Sequence, residues 1–120
     1  MFERYSFVAI TTRNLAAARQ FWVEQLGCRV TEERADDYFI VDAGGLCLCI
    51  DLADGENHVA GSTDPVLGFK VASLREVLER LHDEGLYETL VRKVADTHAV
   101  IHDPDGRSVV LTERDRPLGP

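Results

Sequence analysis

Short runs rich in β-formers punctuate the chain and are interrupted twice by a stretch of helical period. Phe7 to Thr12 (FVAITT) is the first such run; Asn14 stands where a helix N-cap is expected, and Leu15, Ala18, Trp22 and Leu26 then recur at helical spacing. Gly27 follows, a residue suited to ending a helix. Three β-rich segments come next, CRVTEER, YFIVD and LCLCIDL, separated by the turn-forming ADD and AGG. The order then recurs. VLGFKV predicts a strand, Ser73 a cap, and LREVLERLHDEG a helix with Leu74, Val77, Leu78 and Leu81 on one side. YETLVRKV, HAVIHD and SVVLTE predict three more strands.

Phe7 precedes Asn14 by the same interval as Val66 precedes Ser73, and Gly45 and Gly106 open the last strand of each half. This is a duplicated βαβββ unit. The expected fold is α+β: one domain over residues 1–120, with a first module at 5–52, a linker at 53–64 and a second module at 65–115. Each module should be a curved sheet with its helix on the outer face, the two enclosing a cleft suited to a ligand. In the first strand Val8 and Ile10 would face the helix, leaving Phe7, Ala9 and Thr11 concave. In its repeat Leu67, Phe69 and Val71 would face the helix, leaving Val66, Gly68 and Lys70 concave.

Composition narrows the partners. With 120 residues, 45% apolar and 28% charged, the chain has the make-up of a globular domain. Its net charge is −8 and its basic residues are scattered, a surface that repels phosphate backbones and anionic lipid and draws cationic small molecules. Neither a nucleic acid nor a membrane partner is expected. MFERYSFVAITT lacks the apolar stretch of a signal peptide, so a cytoplasmic location is expected. Three cysteines suit a reducing compartment; Cys47 and Cys49 share a strand face, which places them badly for a mutual disulfide.

FVAITTRNLAAARQFWVEQLG, LGFKVASLREVLERLHDEGL and DPDGRSVVLTE together give the chain a resemblance to the vicinal oxygen chelate superfamily. That group includes glyoxalase I, extradiol dioxygenases and the fosfomycin- and bleomycin-resistance proteins. In metal-dependent members, the first and last strands of each repeat supply His, Glu or Gln to one divalent ion. The resemblance places those positions at Phe7 and Val66 on the first strands and at Cys49 and Val110 on the last. Phe7, Val66 and Val110 have no donor atom, and a divalent ion needs three or four converging ones. The in-phase residues Ser108 and Thr112 do not repair the set. The chain is therefore closest in character to the metal-free, bleomycin-resistance-like binding members. No cofactor is expected, and a divalent metal only at a rearranged site.

The ligand-binding residues expected on this basis are Phe7, Ala9, Tyr38, Cys47, Cys49, Val66, Lys70, His98, Val110 and Thr112. Tyr38 and Phe39 alternate faces, so one of them enters the cleft and can stack on a planar ligand. Lys70 either binds an anionic group or stands in solvent at the rim. His98 and His102 share a strand face but lie roughly 13 Å apart by strand rise, too far to share an ion. Cys47 and Cys49, in phase with Asp51, are either wall residues or, with His58 or His98, soft-metal ligands. Trp22 reads as core. EERADD, ADGE and DPDG read as turns without function. Three functions remain open: a metal-free binding protein for a drug or metabolite; a lyase, isomerase or dioxygenase working through a rearranged metal site or through His98, Cys49 or Lys70; and a dimerising or regulatory module. A homodimer is expected, because the duplication leaves sheet edges that a second copy can cover.

Overall fold

The computed structural model of the protein describes residues 1, 3, 6–53, 66–95 and 98–113. They belong to two compact units, Met1–Asp64 and Pro65–Pro120. The first contains β1 (Val8–Thr12), the helix α1 (Leu15–Arg19), a π-helical turn (Gln20–Gln25), β2 (Arg29–Arg34), β3 (Tyr38–Ala43) and β4 (Leu46–Leu52). The second contains β5 (Leu67–Val71), α2 (Leu74–Asp83), α3 (Tyr87–Leu90), β6 (Val91–Val94), β7 (His98–His102) and β8 (Ser108–Glu113). Each unit is a four-stranded mixed sheet, in the orders β1-β4-β3-β2 and β5-β8-β7-β6. The expected α+β fold of two βαβββ modules is the one observed. The expected linker, and His58 within it, lie outside the described residues from position 54 onward.

The duplication extends to the irregularities of the sheets. In each unit the first strand runs parallel to the last, Ala9 opposite Cys49 and Gly68 opposite Val110. Each second strand carries a bulge at the equivalent place, between Val30 and Glu32 and between Val91 and Lys93. The helices start as their sequences predict. The Asn14 side chain accepts the Ala17 N–H at 3.0 Å, and Ser73 Oγ accepts the Glu76 N–H at 3.2 Å. Glu113, from the last strand, adds a second cap by accepting the Leu74 N–H at 3.2 Å.

Two elements depart from the sequence reading. The first helix was expected to run as a regular α-helix to Leu26, but beyond Arg19 it widens, and the Leu26 N–H reaches the Phe21 carbonyl five residues back. The cause lies in Phe21 and Trp22, adjacent residues that are both buried, with their rings edge-to-face at 5.1 Å. A regular α-helix turns successive side chains about 100° apart, and the wider turn lets both rings enter the core. Gly27 then takes a left-handed φ of 75° and the Cys28 N–H closes on the Trp22 carbonyl. Trp22 is core, as expected. The second departure is YETLVRKV, expected as one strand. Tyr87–Leu90 is instead a turn of helix, and only Val91–Val94 is strand. Gly85 at φ 73° reverses the chain after α2, the Tyr87 ring packs on His82 at 4.7 Å, and Leu90 is buried. Burying Leu90 outweighs the local strand preference.

Alternation along the strands fixes one covered and one open face per sheet. In the first unit Ile10, Thr12, Phe39, Val41, Ala43, Leu48 and Ile50 are buried on the helix side. In the second, Leu67, Ala99, Ile101, Val109 and Leu111 are buried together with Leu74, Leu81 and Leu90. Among the described residues no helix is long and apolar enough to cross a membrane.

The turn after β7 is more than a reversal. Asp103 and Arg107 are buried as an ion pair, with 1% and 3% of their side chains exposed. One Asp103 carboxylate oxygen accepts the backbone N–H of Asp105 at 3.0 Å and of Arg107 at 2.8 Å, and the other accepts from the Arg107 guanidinium. Burial pushes the Asp103 carboxyl above its usual range, while the Arg107 backbone N–H and guanidinium pull it back. A raised folded-state value means that the native state holds this proton more tightly than the unfolded chain. The group's contribution is therefore most favourable below the ordinary carboxylate value and is lost as pH rises through the folded one. Arg107→Met leaves the carboxylate buried without its cation. It should cost about 3–5 kcal/mol at neutral pH by chemical denaturation, and clearly less at about pH 4, where Asp103 can take up a proton.

Candidate functional site

Every position named from the sequence as ligand-binding lies on, or just before, a strand. In the first unit the open face of the sheet is built in rows across the strands. Ala9, Cys49, Ile40 and Glu32 form one row, and Thr11, Asp51, Tyr38 and Arg34 form the next. Phe7 precedes β1 and is 56% exposed. Tyr38 points to this face and Phe39 to the core, which resolves the choice between the two aromatics. The Tyr38 hydroxyl donates to the Glu32 carboxylate, and that bond pushes the phenol above its ordinary value.

Glu32 is the residue that sequence reasoning missed here, because EERADD was read as a charge-rich turn. The bulge in β2 shifts the strand's phase, so that Glu32 joins the open face while Glu33 turns to the other side and pairs with Arg19 at 2.6 Å. A bulge at Thr31 leaves no mark in the residue pattern.

The cysteines are free thiols. Cys49 is buried and its Sγ lies 3.5 Å from Asp51 Oδ1. Burial first, and the Asp51 carboxylate second, push this thiol up to about 12. Burial, with help from Asp42, also raises Cys28. Without a metal beside it Cys49 is thus a neutral thiol and a weak nucleophile, since attack needs the thiolate.

In the second unit the open-face rows are Gly68, Val110, Val100 and Lys93, then Lys70, Thr112 and His98. Val66 precedes β5 and is 70% exposed. Thr112 is buried, and its hydroxyl donates to the Phe69 carbonyl at 3.4 Å. His102 lies opposite Ser108, with Ser108 Oγ at 3.4 Å from its Nε2. The ten expected site residues therefore fall into two sets. Phe7, Ala9, Tyr38, Cys47 and Cys49 belong to the first unit, and Val66, Lys70, His98, Val110 and Thr112 to the second.

Comparison with known proteins gives this arrangement a family. The family model described as Glyoxalase/Bleomycin resistance protein/Dioxygenase superfamily matches residues 4–111. The chain belongs to that superfamily. Among solved structures, a glyoxalase family protein from Enterococcus faecalis is 27% identical, with a TM-score of 0.68 over 93% of this chain and 98% of that one. A lactoylglutathione lyase from Agrobacterium tumefaciens is 19% identical, with a TM-score of 0.67 over 93% of this chain and 94% of that one. A glyoxalase/bleomycin resistance protein/dioxygenase family enzyme from Burkholderia phytofirmans PsJN is 19% identical, with a TM-score of 0.71 over 90% and 96%. No curated protein matches the chain.

Resemblance to the metal-dependent members of the glyoxalase superfamily implies a divalent ion, and the residues at the implied positions do not fit one. The register makes Cys49 the counterpart of Val110, and Phe7 and Val66 stand two residues before the partners of those strand positions. They offer a phenyl ring, two isopropyl groups and one thiol, a single donor where a divalent ion needs three or four. Among the described residues no group of three or more His, Cys, Asp or Glu is placed to hold a metal.

The state of Cys49 can be checked directly. A thiol raised from 9.0 to about 12 carries about a thousandfold less thiolate at a given pH. Because the more basic thiolate is also the better nucleophile, in mass-spectrometric alkylation at mildly alkaline pH the Cys49 peptide of the folded protein should label roughly 30-fold or more slower than the same peptide of the unfolded chain.

Proposed function

We propose that this glyoxalase-superfamily protein binds a small organic molecule on the open faces of its sheets, without the divalent metal of its metal-dependent relatives and without transforming the ligand. The observation that carries the reading is the donor-poor set Phe7, Val66, Val110 and Cys49, one donor atom among them, at the four positions where such relatives place their metal ligands. On each unit's own open face they are apolar or weakly polar instead, Phe7 and Cys49 on the first and Val66 and Val110 on the second. Around them the first unit offers an aromatic ring, Tyr38, and the carboxylates of Glu32 and Asp51, a surface that favours a planar or cationic compound.

The test uses protein purified without a His-tag or chelator. Its metal content is measured, and its melting is followed with nickel, zinc, manganese, cobalt and ferrous ions offered in turn. The expected result is no stoichiometric ion and an unchanged melting temperature, because an ion that bound only the folded state would raise it. A panel of planar and cationic drugs should contain compounds that do raise the melting temperature. A stoichiometric stabilising ion would overturn the metal-free reading and direct attention to glyoxalase-like and dioxygenase-like substrates. Turnover of a bound compound would overturn the binding-only reading.

A further inference from the structure

Cys47 and Cys49 stand two residues apart on β4, whose place in the sheet is between β1 and β3. Cys49 is paired with Ala9 on one side and Ile40 on the other, and Cys47 faces Asp42. The spacing of the two thiols is thus set by the sheet. Residues two apart on a strand share a face, and the strand rise separates them by about 6.4–6.8 Å. A disulfide needs Cβ atoms about 3.5–4.5 Å apart, so this pair cannot close one. Both are free thiols, Cys47 half-buried and Cys49 buried. After burial and Asp51, Cys47 is the next group that pushes the Cys49 thiol up, so the two sulfurs are near enough to interact.

The scaffold does not require sulfur at either position. Ala9 opposite Cys49 matches Gly68 opposite Val110, which makes Ser108 and Val110 the second unit's counterparts of Cys47 and Cys49. The neighbours of Cys49 across the strands, Ala9 and Ile40, have no donor atom in their side chains. Among the described residues no group of three or more His, Cys, Asp or Glu is placed to hold a metal, so an ion that needs three or four ligands is not served here. An ion satisfied by two sulfurs is served. With a metal–sulfur bond of about 2.3 Å, two sulfurs on opposite sides of one ion stand about 4.6 Å apart. Cysteines at the strand spacing reach that separation when their sulfurs lean toward each other, through the two side-chain rotamers common in strands.

We propose that Cys47 and Cys49 form a two-sulfur clamp for a soft monovalent metal ion of the copper(I) class. Thiolate sulfur selects such ions over harder ones. Binding replaces two S–H bonds by two S–Cu bonds and releases two protons to solvent, which leaves one net negative charge on the two sulfurs and the ion. The ion itself makes the thiolates, since a coordinating thiol is deprotonated outright. Because two protons leave, affinity should rise with pH. Cys49 Sγ lies 3.5 Å from Asp51 Oδ1, and a thiol is a weak donor, so turning toward the ion gives up little. Arg29, which pairs with Asp42 in the row of Cys47, places a cation on the same face. The clamp is independent of the small-molecule reading: it needs no organic ligand, and the divalent ions offered above gather more donors than two.

The full-length protein, freed of metal, is loaded anaerobically with copper(I) and titrated with bicinchoninate as the competing chelator. The loaded sample is then measured by copper X-ray absorption. The expected result is one ion per chain with two sulfur neighbours and no nitrogen or oxygen neighbour, held more tightly at about pH 8 than at about pH 6. Cys47→Ser and Cys49→Ser each leave one sulfur, and each should weaken copper(I) about a hundredfold or more, since the second sulfur binds intramolecularly. Cys28→Ser should leave the affinity unchanged. Melting of each variant is followed alongside; Cys47 is half-buried, so its variant reads the clamp without removing a fully buried group. Full affinity in either of the Cys47 and Cys49 variants, loss of affinity in Cys28→Ser, or three or more neighbours around the copper would each overturn the clamp. So would two ions per chain, which marks an adventitious ion only on each thiol. If copper(I) binds and no drug does, the small-molecule reading falls and the clamp stands; if drugs bind and copper(I) does not, the clamp falls and that reading stands.

Discussion

The parallel pairing of first strand with last, β1 with β4 and β5 with β8, is the constraint on which each unit depends. Parallel neighbours cannot be joined by a tight turn, so the chain must leave the sheet, cross it and return. Here the crossing segment holds the helix and the two antiparallel strands that complete the sheet. The caps at Asn14 and Ser73 begin the helix directly after the first strand, and Glu113 ties the last strand back to the start of α2. Each unit is thereby closed on itself, with one face under the helix and the other open.

That division separates packing from chemistry. The helix-side face takes the large apolar residues, and the paired burial of Phe21 and Trp22 is accommodated by widening the helix rather than by exposing a ring. The open face mixes polar residues with smaller apolar ones such as Ala9, Val100 and Val110. Because the two units share one architecture, their differences lie in these side chains. Tyr38, Asp51 and Glu32 stand on the first face where His98, Thr112 and Lys93 stand on the second. One repeated scaffold thus presents two faces with different side chains, carboxylates and arginines on the first and lysines and histidines on the second. At the positions that the resemblance assigns to metal ligands, Phe7, Val66 and Val110 carry no donor atom and Cys49 carries a single thiol.

The Asp103–Arg107 pair shows how a turn sequence carries a second meaning. Pro104, Asp105 and Gly106 supply the turn, with Gly106 at a φ of 82°. The buried carboxylate then organises the backbone from within, binding two main-chain N–H groups as well as the guanidinium. It fixes the geometry from which β8, and with it Val110 and Thr112, sets out.

Strand alternation, the two caps and the repeated order of elements lie in local residue patterns, so the α+β duplication and the facing of Ala9, Cys49, Lys70 and Val110 were legible in the sequence alone. So was the loss of donors at Phe7, Val66 and Val110, because it depends only on which side chain stands at a position. What required the tertiary structure depends on neighbours distant in sequence. The π-helical turn follows from two rings seeking one core, the helical turn at Tyr87–Leu90 from the burial of Leu90, and the placement of Glu32 from a bulge that only the partner strand defines. The protonated state of Cys49 was set by burial and by Asp51. Residue identity named the groups available for binding; packing decided which of them are charged, and where they meet.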